Sequence, residues 1–444
     1  MKRRTAFRSA FFSALLMLSA CAGDSWVGED GKSALTGKRL SILNYGTDLT
    51  PDADSLKKII LLPAPESVES WKQAGGLPHH AMQNPALPPK IIQAWQADIG
   101  EGSRSDNLLI AEPVGENGVI YTIDAHALVR AFAVSSGKRL WETPLFKDGS
   151  GGVKVLGSGL ALDNGMLFAA TGTGDVAALD AKNGREIWRI HLPSPVRSAP
   201  AVYGGRLFVL TADNKLVALA EDDGRILWQH YAFLESVSLL GKAAPAIDNG
   251  IGVAVFASGE VLGFRPENGS ILWTEALGAT RTNDAAAEIN DIRARPVISD
   301  DKVFVITSGG LLSALDLKSG AAVWEREIEG INQPWLAGEI LYVVSAHAEL
   351  VALEASTGKI LWINRLARWD DPEKKKGRLF WTGPILAGNR LILTNSAGKA
   401  VAVAPQTGTI IGWEDIDDVG TLPPIVLNDT LFFITHNAKL VAYR

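Results

Sequence analysis

Cysteine is almost missing from this chain. Cys21 is the only one in 444 residues, so no intrachain disulfide can form. Long apolar runs are scarce too: the stretch 10–20 is too short to span a bilayer as a stable helix. Positive charge is not in excess either. With 43 Lys and Arg against 49 Asp and Glu the net charge is −6, a poor basis for binding nucleic acid. None of the seven histidines has a second ligand at zinc spacing, and neither a Gly-x-Ser-x-Gly elbow nor a Walker loop occurs. The acidic group Asp415, Asp417 and Asp418 and the charged run 373–376 read as solvated turns. No catalytic residue, metal or cofactor is therefore expected.

What the chain does contain is a repeat. Tryptophans stand at 95, 141, 188, 228, 273, 324, 362 and 413, at intervals of 38 to 51 residues. Seven follow variants of one phrase, seen in Ala178-Leu-Asp-Ala-Lys-Asn-Gly-Arg-Glu-Ile-Trp188 and Ala314-Leu-Asp-Leu-Lys-Ser-Gly-Ala-Ala-Val-Trp324. A period of this size is one small supersecondary unit. The unit 198–230 resolves into four runs of strand length, broken by Gly204-Gly205, Ala212-Asp-Asn214 and Glu221-Asp-Asp-Gly224. Helical periodicity is absent from it, and Gly184, Gly224 and Gly320 are expected at positive φ. The third run is apolar almost throughout, as in a strand buried on both faces.

Four strands repeated radially make a β-propeller blade. Eight copies of the third strand, from Leu128–Val134 to Leu440–Arg444, predict an all-β, eight-bladed propeller of four-stranded antiparallel blades. The last copy has no fourth strand after it, and Trp95 lies in a strand with no copy before it. That early strand is expected to complete the last blade and close the ring, removing two exposed sheet edges. Each indole is expected to pack between adjacent blades with its N–H on a partner.

The amino terminus has a different composition. Lys2, Arg3, Arg4 and Arg8 precede the apolar run, which ends in Leu18-Ser-Ala-Cys21. Residues 1–20 read as a signal peptide resembling those that end in a bacterial lipobox, with Cys21 as the lipid-modified first residue. Three acyl chains would hold the protein to a membrane, and Ala22, rather than aspartate, favours the outer one by analogy with lipoprotein sorting. Removing 1–20, with four basic residues and no acidic one, takes the net charge from −6 to −10. Residues 21–90, rich in proline, read as a tether and extended chain lying along the ring, with a short ordered piece at 56–62. Residues 91–444 are the propeller.

Insertions in a repeat protein often mark its binding face. From each tryptophan to the proline opening the next blade, Trp188–Pro200 spans 12 residues and Trp324–Pro334 spans 10. Trp228–Pro245 spans 17, Trp273–Pro296 spans 23 and Trp362–Pro384 spans 22. The first two of these long loops belong to neighbouring repeats. One carries Val237, Leu239 and Leu240; the other carries Arg281, Asp284, Glu288, Asp291, Arg293 and Arg295. An apolar centre with charged surroundings is the anatomy of a protein interface.

The phrase Ala-Leu-Asp-x-x-x-Gly-x-x-x-Trp resembles the repeat of pyrroloquinoline-quinone propellers and their non-enzymatic relatives. Together with the lipobox and the length, the chain resembles the BamB family, lipoprotein subunits of the outer-membrane β-barrel assembly (BAM) complex. The resemblance implies a non-catalytic periplasmic scaffold, lipid-anchored at the outer membrane, that binds the POTRA domains of BamA and helps nascent outer-membrane proteins to fold and insert. It implies BamA contacts at Val237, Leu239, Leu240, Asp291 and Arg293, although Leu240 stands where the family can have arginine and Arg293 where an acid is expected. The alternatives are a quinoprotein dehydrogenase, which would use pyrroloquinoline quinone, and a scaffold for another envelope component. Against the dehydrogenase stand the lack of a vicinal cysteine pair and of a Glu, Asn and Asp calcium set.

Overall fold

The four strand-length runs of each repeat form antiparallel sheets arranged as eight blades in the computed structural model, which describes residues 49–55, 58–104, 108–146, 158–233, 243–278, 292–416 and 422–444. Blade 1 comprises Val114–Glu116, Val119–Ile123, Leu128–Ala133 and Arg139–Pro144. Blades 2 to 7 repeat this order, beginning at Ser158, Ala201, Ala246, Val297, Trp335 and Trp381. In blade 8, Ile425–Leu427, Thr430–Ile434 and Lys439–Tyr443 are joined by Gln93–Asp98, which pairs antiparallel with Lys439–Tyr443. The expected closure is therefore present. Among the described residues the one helical element is the three-residue turn Ala53–Ser55.

The repeat phrase works across the blade boundary. Seven indoles each donate to a backbone carbonyl of the following blade at 2.8–3.1 Å, as Trp95 does to Val134 and Trp188 to Glu221. Under each indole lies the glycine of that next blade's phrase, at φ 68–77°. A Cβ there would come within 2.5–2.7 Å of the ring. The glycine thus serves twice, adopting a left-handed turn and leaving room for the indole. On the other side, six of these seven tryptophans meet an aromatic of their own blade's second strand, as in Phe168–Trp188 at 6.0 Å and Trp95–Phe432 at 5.6 Å, while the second strand Ile251–Val255 beside Trp273 has none. A small residue of the third strand, Ala178 opposite Trp188 and Ala218 opposite Trp228, makes space between them.

Trp413 departs from the expectation that all eight are fasteners. It stands five residues after Gly408 rather than four, and Gly412 takes the position opposite Ala402. A one-residue shift turns a strand side chain to the other face, and Trp413 is 55% exposed. The third and fourth strands of blade 8 come from opposite ends of the chain, so no turn glycine joins them to receive an indole from blade 7.

The proline-rich segment before the ring takes a course that its composition does not specify. Residues 66–86 run inside the ring and bond in turn to the innermost strand of every blade. Val68 O accepts from Asn428 N of blade 8, and Ser70–Trp71 pair with Gly115–Glu116 of blade 1. Lys72 O accepts from Leu162 N of blade 2, and Gln73 Oε1 from Val202 N of blade 3. Pro78 O and His79 O accept from Ile247 N and Ile298 N of blades 4 and 5. Gln83 O accepts the Trp335 indole N–H of blade 6, and Pro85 O accepts Gly388 N of blade 7. Glu66 then pairs with Pro85, closing the circuit on itself. The innermost strand of a blade has an unpaired edge along the axis, and this strap supplies the missing partners. It bonds near the ends of those strands, close to the turns leading to each second strand. Farther out, Ile60 is buried, while Leu56 of the expected ordered piece lies outside the described residues.

Candidate functional site

Each blade's first strand runs toward the face carrying the tight turns, and its fourth strand returns to the opposite face, where the chain crosses to the next blade. The strap floors the axis near the turn face. Above it, toward the crossover face, lies an axial cavity of about 370 Å³. Its walls are residues just before the first strands of several blades, among them Glu112, Arg197, Arg295, Asn332 and Pro424, and its floor includes Trp71 and Gly75 of the strap. Ile331 and Phe380 are exposed at its mouth, while Trp335 and Trp381 are buried in its wall.

The charged residues of the described lining are Glu112, Arg197, Arg293 and Arg295. Arg295 reaches across the axis from blade 5 to Glu112 before blade 1 at 2.7 Å, and its Nε donates to Gln333 Oε1 at 2.5 Å. Gln333 Nε2 donates to His80 O of the strap at 3.1 Å, tying three parts of the ring through polar contacts. Burial draws the Arg197 guanidinium below its ordinary value. Three indoles line the cavity. The Trp335 N–H is held by Gln83 O and the Trp381 N–H by Ala367 O, both at 2.8 Å. The Trp71 N–H is buried with no partner in the protein.

The sequence-derived contact residues fare differently. Cys21, Val237, Leu239, Leu240 and Asp291 lie outside the described residues. Arg293 is described, half-buried and lining the axial cavity. Arg295, noted only as part of a charged loop, proves to be the cross-axis ion-pair partner. The third long connection, 362–384, carries the hairpin Trp369–Asp371 with Lys376–Arg378. Sequence reasoning missed the cavity because its lining comes in short pieces from the strap and six separate blades. The available signal was their shared place, mostly within four residues before the first strands of six blades. Among the described residues, no group of three or more His, Cys, Asp or Glu side chains could hold a metal ion.

Two buried groups set a pH dependence. Burial, then the nearby Arg295 charge, pushes His80 down to about 3; its Nδ1–H donates to Pro296 O at 2.8 Å. Burial, then Asp163, raises Glu221 to about 7, and its Oε1 has no partner. Below 6.5 the unfolded chain binds a proton at His80 that the folded protein refuses, so stability falls with pH from 6.5 toward 3. Between 4.5 and 7 the folded protein holds a proton on Glu221 that the unfolded chain releases, so this contribution grows as pH falls. The two oppose each other between 4.5 and 6.5. Glu221→Gln is expected to uncover the histidine: its unfolding free energy should drop by about 3 kcal/mol more than that of the parent between about pH 7 and about pH 4.5. Urea unfolding at the two pH values reads this, and parallel losses in both proteins would refute it.

Comparison with known proteins bears on the whole arrangement. The profile of the family described as "Outer membrane protein assembly factor BamB" matches residues 125–364. The outer membrane protein assembly factor BamB of Shigella dysenteriae serotype 1 is 31% identical over 332 residues, covering 74% of this chain and 82% of its own. The protein of that name from Escherichia coli is 30% identical over 332 residues, with the same coverage of 74% and 82%. Among solved structures, BamB from Moraxella catarrhalis superposes with a TM-score of 0.64 at 18% identity, covering 80% of this chain and 98% of that one. A quinohemoprotein alcohol dehydrogenase from Comamonas testosteroni gives 0.65 at 12% identity, covering 84% and 80%. At such identities the structural matches describe the fold alone.

Proposed function

Since the chain belongs to the BamB family of outer membrane protein assembly factors, we propose that it is a non-catalytic periplasmic scaffold held to the outer membrane through lipidated Cys21. It docks on the POTRA domains of BamA through the neighbouring connections 232–243 and 280–296, with Val237, Leu239 and Leu240 as apolar anchors and Asp291 and Arg293 beside them. Through BamA it joins the BAM complex and assists nascent β-barrel proteins. The family match carries this reading. The topology supports the choice of surface: both connections follow fourth strands, of blades 3 and 4, and so arise side by side on the crossover face. At the described start of the first, Tyr231 is 58% and Phe233 77% exposed, which extends an apolar character toward the anchors.

A few anchors dominate most interfaces. The double change Leu239→Asp, Leu240→Asp is expected to lower recovery of BamA with the protein from detergent-solubilised envelopes by roughly tenfold or more. Its urea unfolding midpoint should stay at the parent value. Full recovery of BamA with the double variant would discard this docking surface.

A further inference from the structure

The ion pair between Glu112 and Arg295 joins opposite sides of the ring, since blades 1 and 5 face each other across the axis. Glu112 is 7% exposed and accepts from Arg295 Nη1 at 2.7 Å and from the Gly75 N–H at 3.4 Å. The same guanidinium donates from Nε to Gln333 Oε1, and Gln333 donates to His80 O of the strap. His80 in turn donates from Nδ1 to Pro296 O, beside Arg295. One planar group with fixed donors thus ties residues before blades 1, 5 and 6. A buried ion pair is a weak source of net stability and is best attested as a device that fixes register. Here it fixes the stem of one connection. Between blades 4 and 5 the chain leaves the outer strand at Leu277 and returns toward the axis at Ile292, both buried in one apolar cluster. Ala294 is buried in the cluster that includes Ala81 of the strap, and Arg295 follows it. Asp291 and Arg293, the two polar contacts of the docking surface, stand only four and two residues before Arg295.

We propose that Glu112 is a positioning residue for docking: acting through Arg295, it sets where the connection 280–296 leaves the ring, and so sets the affinity for BamA without touching BamA. This rests on the docking surface proposed above. Glu112 is too buried to add contact area of its own. Its effect comes from ordering the stem before the partner arrives, which lowers the ordering cost of binding. Without the carboxylate, Arg295 is left largely buried with no counter-ion, and such a charge is driven toward water. The stem that carries it shifts with it.

Calorimetric titration of the full chain with the purified POTRA domains of BamA tests this. Affinity is read without denaturant on folded protein, so a loss of stability alone leaves it unchanged. Glu112→Gln is expected to weaken binding roughly tenfold, and Arg295→Gln by a similar factor. The double variant Glu112→Gln, Arg295→Gln should bind no more weakly than either single one, because the two residues act as a pair. It leaves no buried charge unpaired, so it decides if Glu112→Gln does not fold. Amide hydrogen exchange at 292–296 should quicken in each variant. Parent affinity in folded Glu112→Gln or in the double variant, or single losses that multiply to about a hundredfold in the double variant, would overturn the assignment. Leu239→Asp, Leu240→Asp separates the two readings. Full binding by that protein removes the docking surface and this inference with it; lost binding there, beside parent affinity in Glu112→Gln, overturns this inference alone.

Discussion

Trp71→Ala is expected to destabilise the protein by about 4 kcal/mol, the range found for truncating a buried aromatic. Trp71 is the most deeply buried tryptophan among the described residues, and it packs in the largest apolar cluster, which reaches blades 1, 6, 7 and 8. Its backbone pairs with Gly115, so the side chain anchors the strap where the strap enters the ring. Losing the indole leaves a cavity against blade 1 and loosens the following residues, whose bonds run on to Leu162 and Val202. The urea midpoint should fall, and residues 66–86 should be cleaved by protease before the blades are. A variant with the parent midpoint and an uncleaved strap would show that the circuit stands without this anchor.

Gly224→Ala is expected to cost about 3 kcal/mol, of which roughly 1–2 kcal/mol is the left-handed backbone at φ +75°. The remainder comes from the neighbour. A Cβ would lie 2.7 Å from Cε3 and Cζ3 of Trp188 and 3.1 Å from Ile190. The indole would have to move, straining its 2.8 Å bond to Glu221 O. Gly205 provides the matched comparison: its φ is +73°, but no atom lies within 4 Å of the point where a Cβ would stand. Gly205→Ala should therefore show the backbone cost alone. Equal losses for the two alanine variants, read from urea unfolding, would refute the packing role of the turn glycine.

The ring was legible because its fastening is periodic in the chain. Tryptophan, glycine and the small third-strand residue recur at fixed separations, and Trp95 stood out as an orphan whose blade had to be found elsewhere. Trp413 was misread for a local reason: an offset of one residue is small in sequence and decisive in a strand, where it reverses the direction of the side chain. The strap was illegible for the opposite reason. Its partners are backbone amides of eight separate blades, and a backbone amide leaves no mark on residue identity; Gln73 and Gln83 are ordinary residues until Val202 and Gly338 are seen beside them. The axial cavity shares that difficulty, since Arg197 and Glu112 are far apart in the chain and acquire a common meaning only when the ring is closed.

That closure also orders events in time. Gln93–Asp98 is synthesised before any blade, yet its partner Lys439–Tyr443 is made only after the seven blades between them. Until then the early strand, with Trp95, has no sheet to join, and blade 8 lacks its outer edge. Folding governed by such distant pairings is slow to begin and late to finish. A chain arrested anywhere before Lys439 would display an open edge at both ends of a growing arc. The protein thus spends the synthesis of seven blades in need of protection from the strand pairing that finally closes the ring.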